Sequence, residues 1–150
     1  MKRIVIFPAC LLVFFLFETA WAQIWTGKVV AVIDGDTIEV MHGRKRVRIR
    51  LYGIDTPEYG QPYSGKAKRF TARLVQNRWV EITEKDVDKY GRTVALVRLA
   101  DSLINAELVD VGLARVFRWF CREQPLCTDW LFLEERARRE KRGLWRTGKK

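Results

Sequence analysis

At 150 residues, 48% hydrophobic and 31% charged, the chain has the composition of one folded domain with a proper core, which excludes a disordered chain. Its 28 Lys and Arg against 18 Asp and Glu leave a net charge of +10, which favours polyanionic partners through steering and counterion release. Nucleic acid, an anionic membrane surface and an acidic polysaccharide all satisfy that charge.

The first 22 residues read as a cleavable secretory signal. Lys2 and Arg3 precede the apolar run from Ile4 to Phe17, Glu18 closes it, and Ala20-Trp21-Ala22 supplies small residues for cleavage before Gln23. The run is too short to span a bilayer comfortably, which disfavours an uncleaved anchor. Phe7, three residues before Cys10, disfavours a lipoprotein signal. Only Lys2, Arg3 and Glu18 leave with this segment, so the positive surplus survives. Residues 23–150 are then one domain, exported to the periplasm or the extracellular medium, with no membrane span.

The mature part opens with strand signals. Trp25 to Ile33 is rich in β-branched residues and is broken by Asp34-Gly35-Asp36. Thr37 to Met41 alternates, His42-Gly43-Arg44 turns the chain, and Val47 to Ile54 forms a third strand with Arg48 and Arg50 on its polar face. Three short strands at close spacing suggest a meander curling into a small barrel. After a loop rich in proline and glycine, Lys66 to Gln76 carries Ala67, Phe70, Leu74 and Val75 at helical spacing. Trp79 to Thr83 and Thr93 to Leu99 read as two more strands, joined by the polar connection from Glu84 to Arg92. Leu103 to Val111 is a short amphipathic helix ending at Gly112. A last helix runs from about Thr128 to Lys141 with Trp130, Leu133 and Ala137 inward; Gly143 stops it, and Leu144-Trp145 folds back as a clasp. The expected fold is α+β, a five-stranded barrel with three helices. Once Cys10 is gone, Cys121 and Cys127 remain, and two cysteines in an exported protein read as one disulfide. A zinc site is disfavoured because His42, the single histidine, is distant in sequence.

The chemistry concentrates in four phrases: Asp34-Gly35-Asp36-Thr37, Arg50, Asp55-Thr56-Pro57-Glu58, and Asp88-Lys89-Tyr90-Gly91-Arg92. Asp-Gly-Asp-Thr alone is usually a hairpin turn, Asp-Thr-Pro-Glu a helix start, and an arginine on a polar strand face merely solvated. The Lys/Arg runs at 44–50 and 136–142 are ordinarily exposed faces. Together, in this order and at strand ends, they fit phosphodiester cleavage. That reaction needs an oriented, deprotonated water and cationic donors for the charge that builds on the phosphoryl oxygens. Asp36 and Asp55, with the Thr56 carbonyl, are oxygen donors for a hard cation such as calcium. Glu58, behind the stiff Pro57, is the candidate general base. Arg50 and Arg92 are the candidate phosphate forks, which lysine does not match.

This set closely resembles the staphylococcal-nuclease (thermonuclease-like) family from about Ile24 to Trp145, with Asn105 and Gly112-Leu113-Ala114 also matching. The resemblance implies an OB-fold barrel with three helices and calcium-dependent hydrolysis of DNA and RNA to 3′-phosphate products by a monomer. It implies one Ca2+ on Asp36, Asp55 and Thr56, with Asp34 near the metal but not on it, Glu58 as base and Arg50 and Arg92 on the attacked phosphate. It further implies that Lys89 and Tyr90 contact the nucleotide's other phosphate. The chain departs from the family in three places. The loop after Glu58 is shorter than in the family's best-known member. Arg118, beside Trp119 and Phe120, stands where that member has a tyrosine against the nucleotide, so Arg118 is the candidate there. The Cys121–Cys127 pair is an addition. A non-catalytic OB-fold module that binds nucleic acid, and an envelope protein binding polysaccharide or anionic lipid, are the competing readings.

Overall fold

The computed structural model describes residues 23–146, so the secretory signal expected at 1–22 lies outside the described residues. Strands β1 (Ile24–Val32), β2 (Thr37–His42) and β3 (Lys45–Leu51) form the expected antiparallel meander. A two-residue strand β4 (Ile54–Asp55) and helix α1 (Ser64–Val75) follow. Strand β5 (Trp79–Val87) pairs with β1, and β6 (Thr93–Leu99) pairs with β5. A parallel pairing of β3 with β6 then closes β3-β2-β1-β5-β6 into a five-stranded barrel. Short strand β7 (Ser102–Leu103) leads into helix α2 (Ile104–Asp110), and β8 (Arg115–Val116) pairs with β4. Helix α3 (Leu126–Arg139) and a 3-10 turn at Gly143–Trp145 complete the α+β OB-fold architecture. Among the described residues, no helix is long and apolar enough to cross a membrane.

Alternation on the strands sends Val29, Val40, Ile49, Ile82 and Val97 into one core, and α1, α2 and α3 cover it through Val75, Leu108 and Trp130. The fold-back at the end is a real clasp. Leu144 donates its N–H to the Gly112 carbonyl at 2.8 Å, and the Trp145 ring lies beneath the guanidinium groups of Arg138 and Arg115.

Three elements differ from the sequence expectation. The third strand does not run through to Ile54. Gly53 adopts φ +70, and a Cβ there would fall 2.8 Å from Cys121 Sγ and 2.9 Å from the Trp130 ring. The resulting turn redirects Ile54 and Asp55 away from β3 and onto β8. Strand β5 continues past Thr83 to Val87, where a register shift between Glu84 and Asp86 lets exposed polar residues keep pairing with β6. Helix α3 turns Glu134 fully inward and leaves Leu133 half-buried; Glu134 is paired there with Arg138 at 3.2 Å. The Cys121–Cys127 disulfide forms as expected, with Cα atoms 5.6 Å apart.

Asn105 links the helices to the barrel. Fully buried on α2, it accepts the Val97 N–H at 3.0 Å and donates to the Tyr52 carbonyl at 3.0 Å and the Ala95 carbonyl at 3.3 Å. Removing it strands the Val97 amide without water to replace the bond. Asn105→Ala is expected to lower the unfolding free energy by on the order of 2–4 kcal/mol, read as an earlier urea midpoint at unchanged slope. An unchanged midpoint would show that Asn105 is no structural tie.

Candidate active site

The site begins with a carboxylate that is hard to bury. Asp36 closes the turn between β1 and β2 and is only 5% exposed. Asp34 shapes that turn by accepting the Asp36 N–H at 3.0 Å. Gly35 allows it to sit deep, because a Cβ there would lie 2.7 Å from both Thr56 Oγ1 and Ala67 Cβ. Thr71 on α1 fixes the same turn by donating its hydroxyl to the Gly35 carbonyl at 2.6 Å.

Two other segments converge on the Asp36 carboxylate. Thr56, just past β4, donates its backbone N–H at 2.7 Å and its hydroxyl at 2.8 Å to Oδ2. Strand register places Arg50 opposite Thr37, and its Nη1 approaches the same oxygen at 2.5 Å. Arg50 Nη2 donates to Asp55 Oδ1 at 3.0 Å, so one guanidinium bridges both candidate metal-binding aspartates. Nη1 is buried and meets Asp36 as a close ion pair without hydrogen-bond alignment. Burial pushes the Asp36 carboxyl up from 3.8 to about 6, and the positive charge of Arg50 offsets this only in part.

The donor set fits a hard cation. Asp36 Oδ1 has a single weak contact, the Thr37 hydroxyl at 3.4 Å, and the Asp55 side chain is half exposed. Among the described residues, no three His, Cys, Asp or Glu side chains gather at one point. A cation held by Asp36 and Asp55 would have two carboxylates and would need a backbone carbonyl and water to complete its shell, a set that suits calcium.

Arg50 also lines a groove of about 570 Å³, together with Arg92, Lys89 and Tyr90. Parallel pairing puts Val94 beside Arg50, and Arg92 lies two residues before Val94 at the start of β6. Asp88 anchors that end. Its Oδ1 accepts the N–H groups of Tyr90 and Arg92, and its Oδ2 accepts Arg92 Nε at 2.6 Å. Desolvation pushes the Asp88 carboxyl up, but the hydrogen bonds from the Arg92 backbone and side chain and the Tyr90 backbone outweigh it and hold it below its usual value. Lys89 and Arg92 both lie over the Tyr90 ring, at 5.0 and 5.4 Å.

The groove's other wall is apolar, made by Phe117 and Phe120, whose ring centroids are 4.8 Å apart. Phe117 donates its N–H to the Gly53 carbonyl, and Cys121 closes the segment with the disulfide behind that glycine. The sequence reading passed over Phe117; its only signal was three aromatics within the four residues before Cys121. Arg118 does not line this groove. It points toward Glu134, 3.9 Å away, and is largely exposed. Glu58 is also exposed, on the loop after Thr56, where a turn closes through Gln61 N–H to the Glu58 carbonyl at 2.9 Å. Among the described residues, Glu58 makes no ion pair.

Residues 48–147 match the family described as staphylococcal nuclease homologue. The chain belongs to that family. It is 38% identical over 135 residues to the micrococcal nuclease of Shigella flexneri, covering 84% of this chain and 76% of that protein. It is 39% identical over 134 residues to an uncharacterized endonuclease of Escherichia coli O157:H7, covering 87% and 85%. To the thermonuclease of Staphylococcus hyicus it is 43% identical over 98 residues, covering 60% and 58%. The match to the family spans β3 through the clasp, and so includes both groove arginines and Asp55 to Glu58.

The buried carboxylate generates a pH prediction. The folded chain holds the Asp36 proton more tightly than the unfolded chain, so this group favours folding below pH 3.8 and that contribution is lost as pH rises through about 6. Relative to Asp36→Asn, which cannot titrate, the metal-free protein is expected to lose on the order of 3 kcal/mol between about pH 4 and pH 7. A stability difference that stays flat across that range would contradict the assignment.

Proposed function

We propose that this protein is an exported, calcium-dependent, sugar-nonspecific nuclease that hydrolyses DNA and RNA to products ending in a 3′-phosphate. The observation that carries the reading is that Arg50 and Arg92 line one groove while the same Arg50 guanidinium holds the Asp36 and Asp55 carboxylates. Family membership and similarity to proteins named as nucleases support a phosphodiesterase over any other hydrolase.

Asp36, Asp55 and the Thr56 carbonyl would hold one calcium ion, whose contribution is to lower the pKa of water and to neutralise charge on the phosphate. Glu58, in an exposed loop and without an ion pair among the described residues, takes the proton from the attacking water. Arg50 and Arg92 fork onto the oxygens of the attacked phosphate, where negative charge grows as the water adds. Asp34 holds the turn that aims Asp36. Lys89 and Tyr90, on the rim, meet a neighbouring phosphate. The Phe117–Phe120 wall gives a base an apolar face to stack on, worth about 1–3 kcal/mol per base in comparable sites.

Export is supported by the disulfide, since such bonds persist in oxidising compartments. A binding module without chemistry needs the basic groove but has no use for a buried carboxylate that costs stability at neutral pH.

Glu58→Gln is expected to lower kcat by on the order of 10²–10⁴ while leaving the affinity for a DNA strand within a few-fold of wild type. Cleavage by this variant at the wild-type rate would remove Glu58 from the mechanism.

A further inference from the structure

A second groove, of about 530 Å³, opens on the other side of Arg92. Tyr90 and Arg92 line both grooves, so the two adjoin at these residues. The floor of the second is Glu39, Arg46 and Arg48, residues from β2 and β3 that no step of the proposed reaction uses. Three guanidinium groups thus face one carboxylate.

The register explains the pattern. Arg46, Arg48 and Arg50 sit at alternate positions of β3 and so project from one face, roughly 6.5–7 Å apart from one to the next. Glu39, directly across from Arg48 on β2, reaches Arg48 at 3.1 Å and Arg46 at 3.8 Å. One carboxylate therefore holds two guanidinium groups in place without neutralising both. Arg46 and Arg48 keep 68% and 55% of their side-chain surface exposed, so most of their donors remain available to a ligand.

We propose that the second groove is an extended subsite for the sugar–phosphate backbone of a single-stranded nucleic acid, with Arg46 and Arg48 taking phosphates beyond the one held at Arg50. A ladder of evenly spaced guanidinium groups on one strand suits a polymer of evenly spaced phosphates. It is indifferent to base identity and to the 2′-hydroxyl, as phosphate contacts are. It makes the protein favour long strands over short ones. The inference rests on the nuclease reading, and the test separates the two.

The ratio of kcat/KM for a long single-stranded DNA to that for a dinucleotide is measured in the wild type, in Arg46→Ala/Arg48→Ala, and in a control that removes two exposed arginines lining neither groove, Arg78 and Arg139. The ratio is expected to fall about tenfold in Arg46→Ala/Arg48→Ala and by less than twofold in the control. For binding measured with chelator present, the slope of log affinity against log salt should fall by about 0.7 for each of the two arginines. An unchanged ratio, or an equal fall in both double variants, overturns the subsite. If the wild type cleaves neither substrate the nuclease reading fails. The binding slopes then decide the subsite alone, and equal slopes in wild type and variant would reject it.

Discussion

The candidate metal-binding end of the site depends on keeping the Asp36 carboxylate ionised inside the protein. A carboxylate so deeply placed is costly unless donors surround it, and its pKa of about 6 records how incomplete the compensation is. The donors come from separate parts of the chain: the Thr56 amide and hydroxyl past β4, and the Arg50 guanidinium on β3. Each must arrive at one oxygen atom. The turn at Asp34 to Asp36, Arg50 on β3 and the chain just past β4 therefore meet at a single electrostatic requirement.

That requirement passes outward through packing. Thr56 reaches Asp36 because the chain leaves β3 at the Gly53 turn, and Gly53 is tolerated only without a side chain because the Cys121 sulfur and Trp130 ring lie behind it. The same turn carries the Asn105 bond at Tyr52 and the Phe117 bond at Gly53. The catalytic face and the apolar wall of the groove are consequently one mechanical unit. The two groove arginines are held differently. Arg50 is shared by two carboxylates, whereas Arg92 gives only its Nε to Asp88, so its outer guanidinium nitrogens stand between the two grooves.

The barrel strands were legible in the sequence because Trp25 to Ile33 is rich in β-branched residues and broken by a turn, and because Thr37 to Met41 alternates. The end of β5 was not, because Lys85 and Asp86 look like a polar loop and only pairing with β6 makes them strand. Nor was the break before Ile54 apparent: Gly53 sits in an otherwise apolar run, and its need for a left-handed turn comes from a sulfur and an indole far along the chain. Glu134 was hidden for a similar reason, its burial depending on cross-helix placement rather than on helical period. Within the site, Asp36, Arg50 and Asp55 do come together, as do Arg92, Lys89 and Tyr90. Arg118 was assigned by its position in the chain alone, and its side chain follows the attraction of Glu134 instead. Arg46 and Arg48 looked like a solvated charge run, since sequence cannot show that they share a concave surface with Arg92.

The most direct measurement is the fate of end-labelled DNA and RNA incubated with the purified protein, in calcium and in chelator, with the chemistry of the new ends determined. The account predicts that both polymers are shortened in calcium, that neither is shortened in chelator, and that the fragments end in 3′-phosphate. Nucleic acid retarded on a gel but intact in calcium would contradict it and leave a binding protein in place of an enzyme.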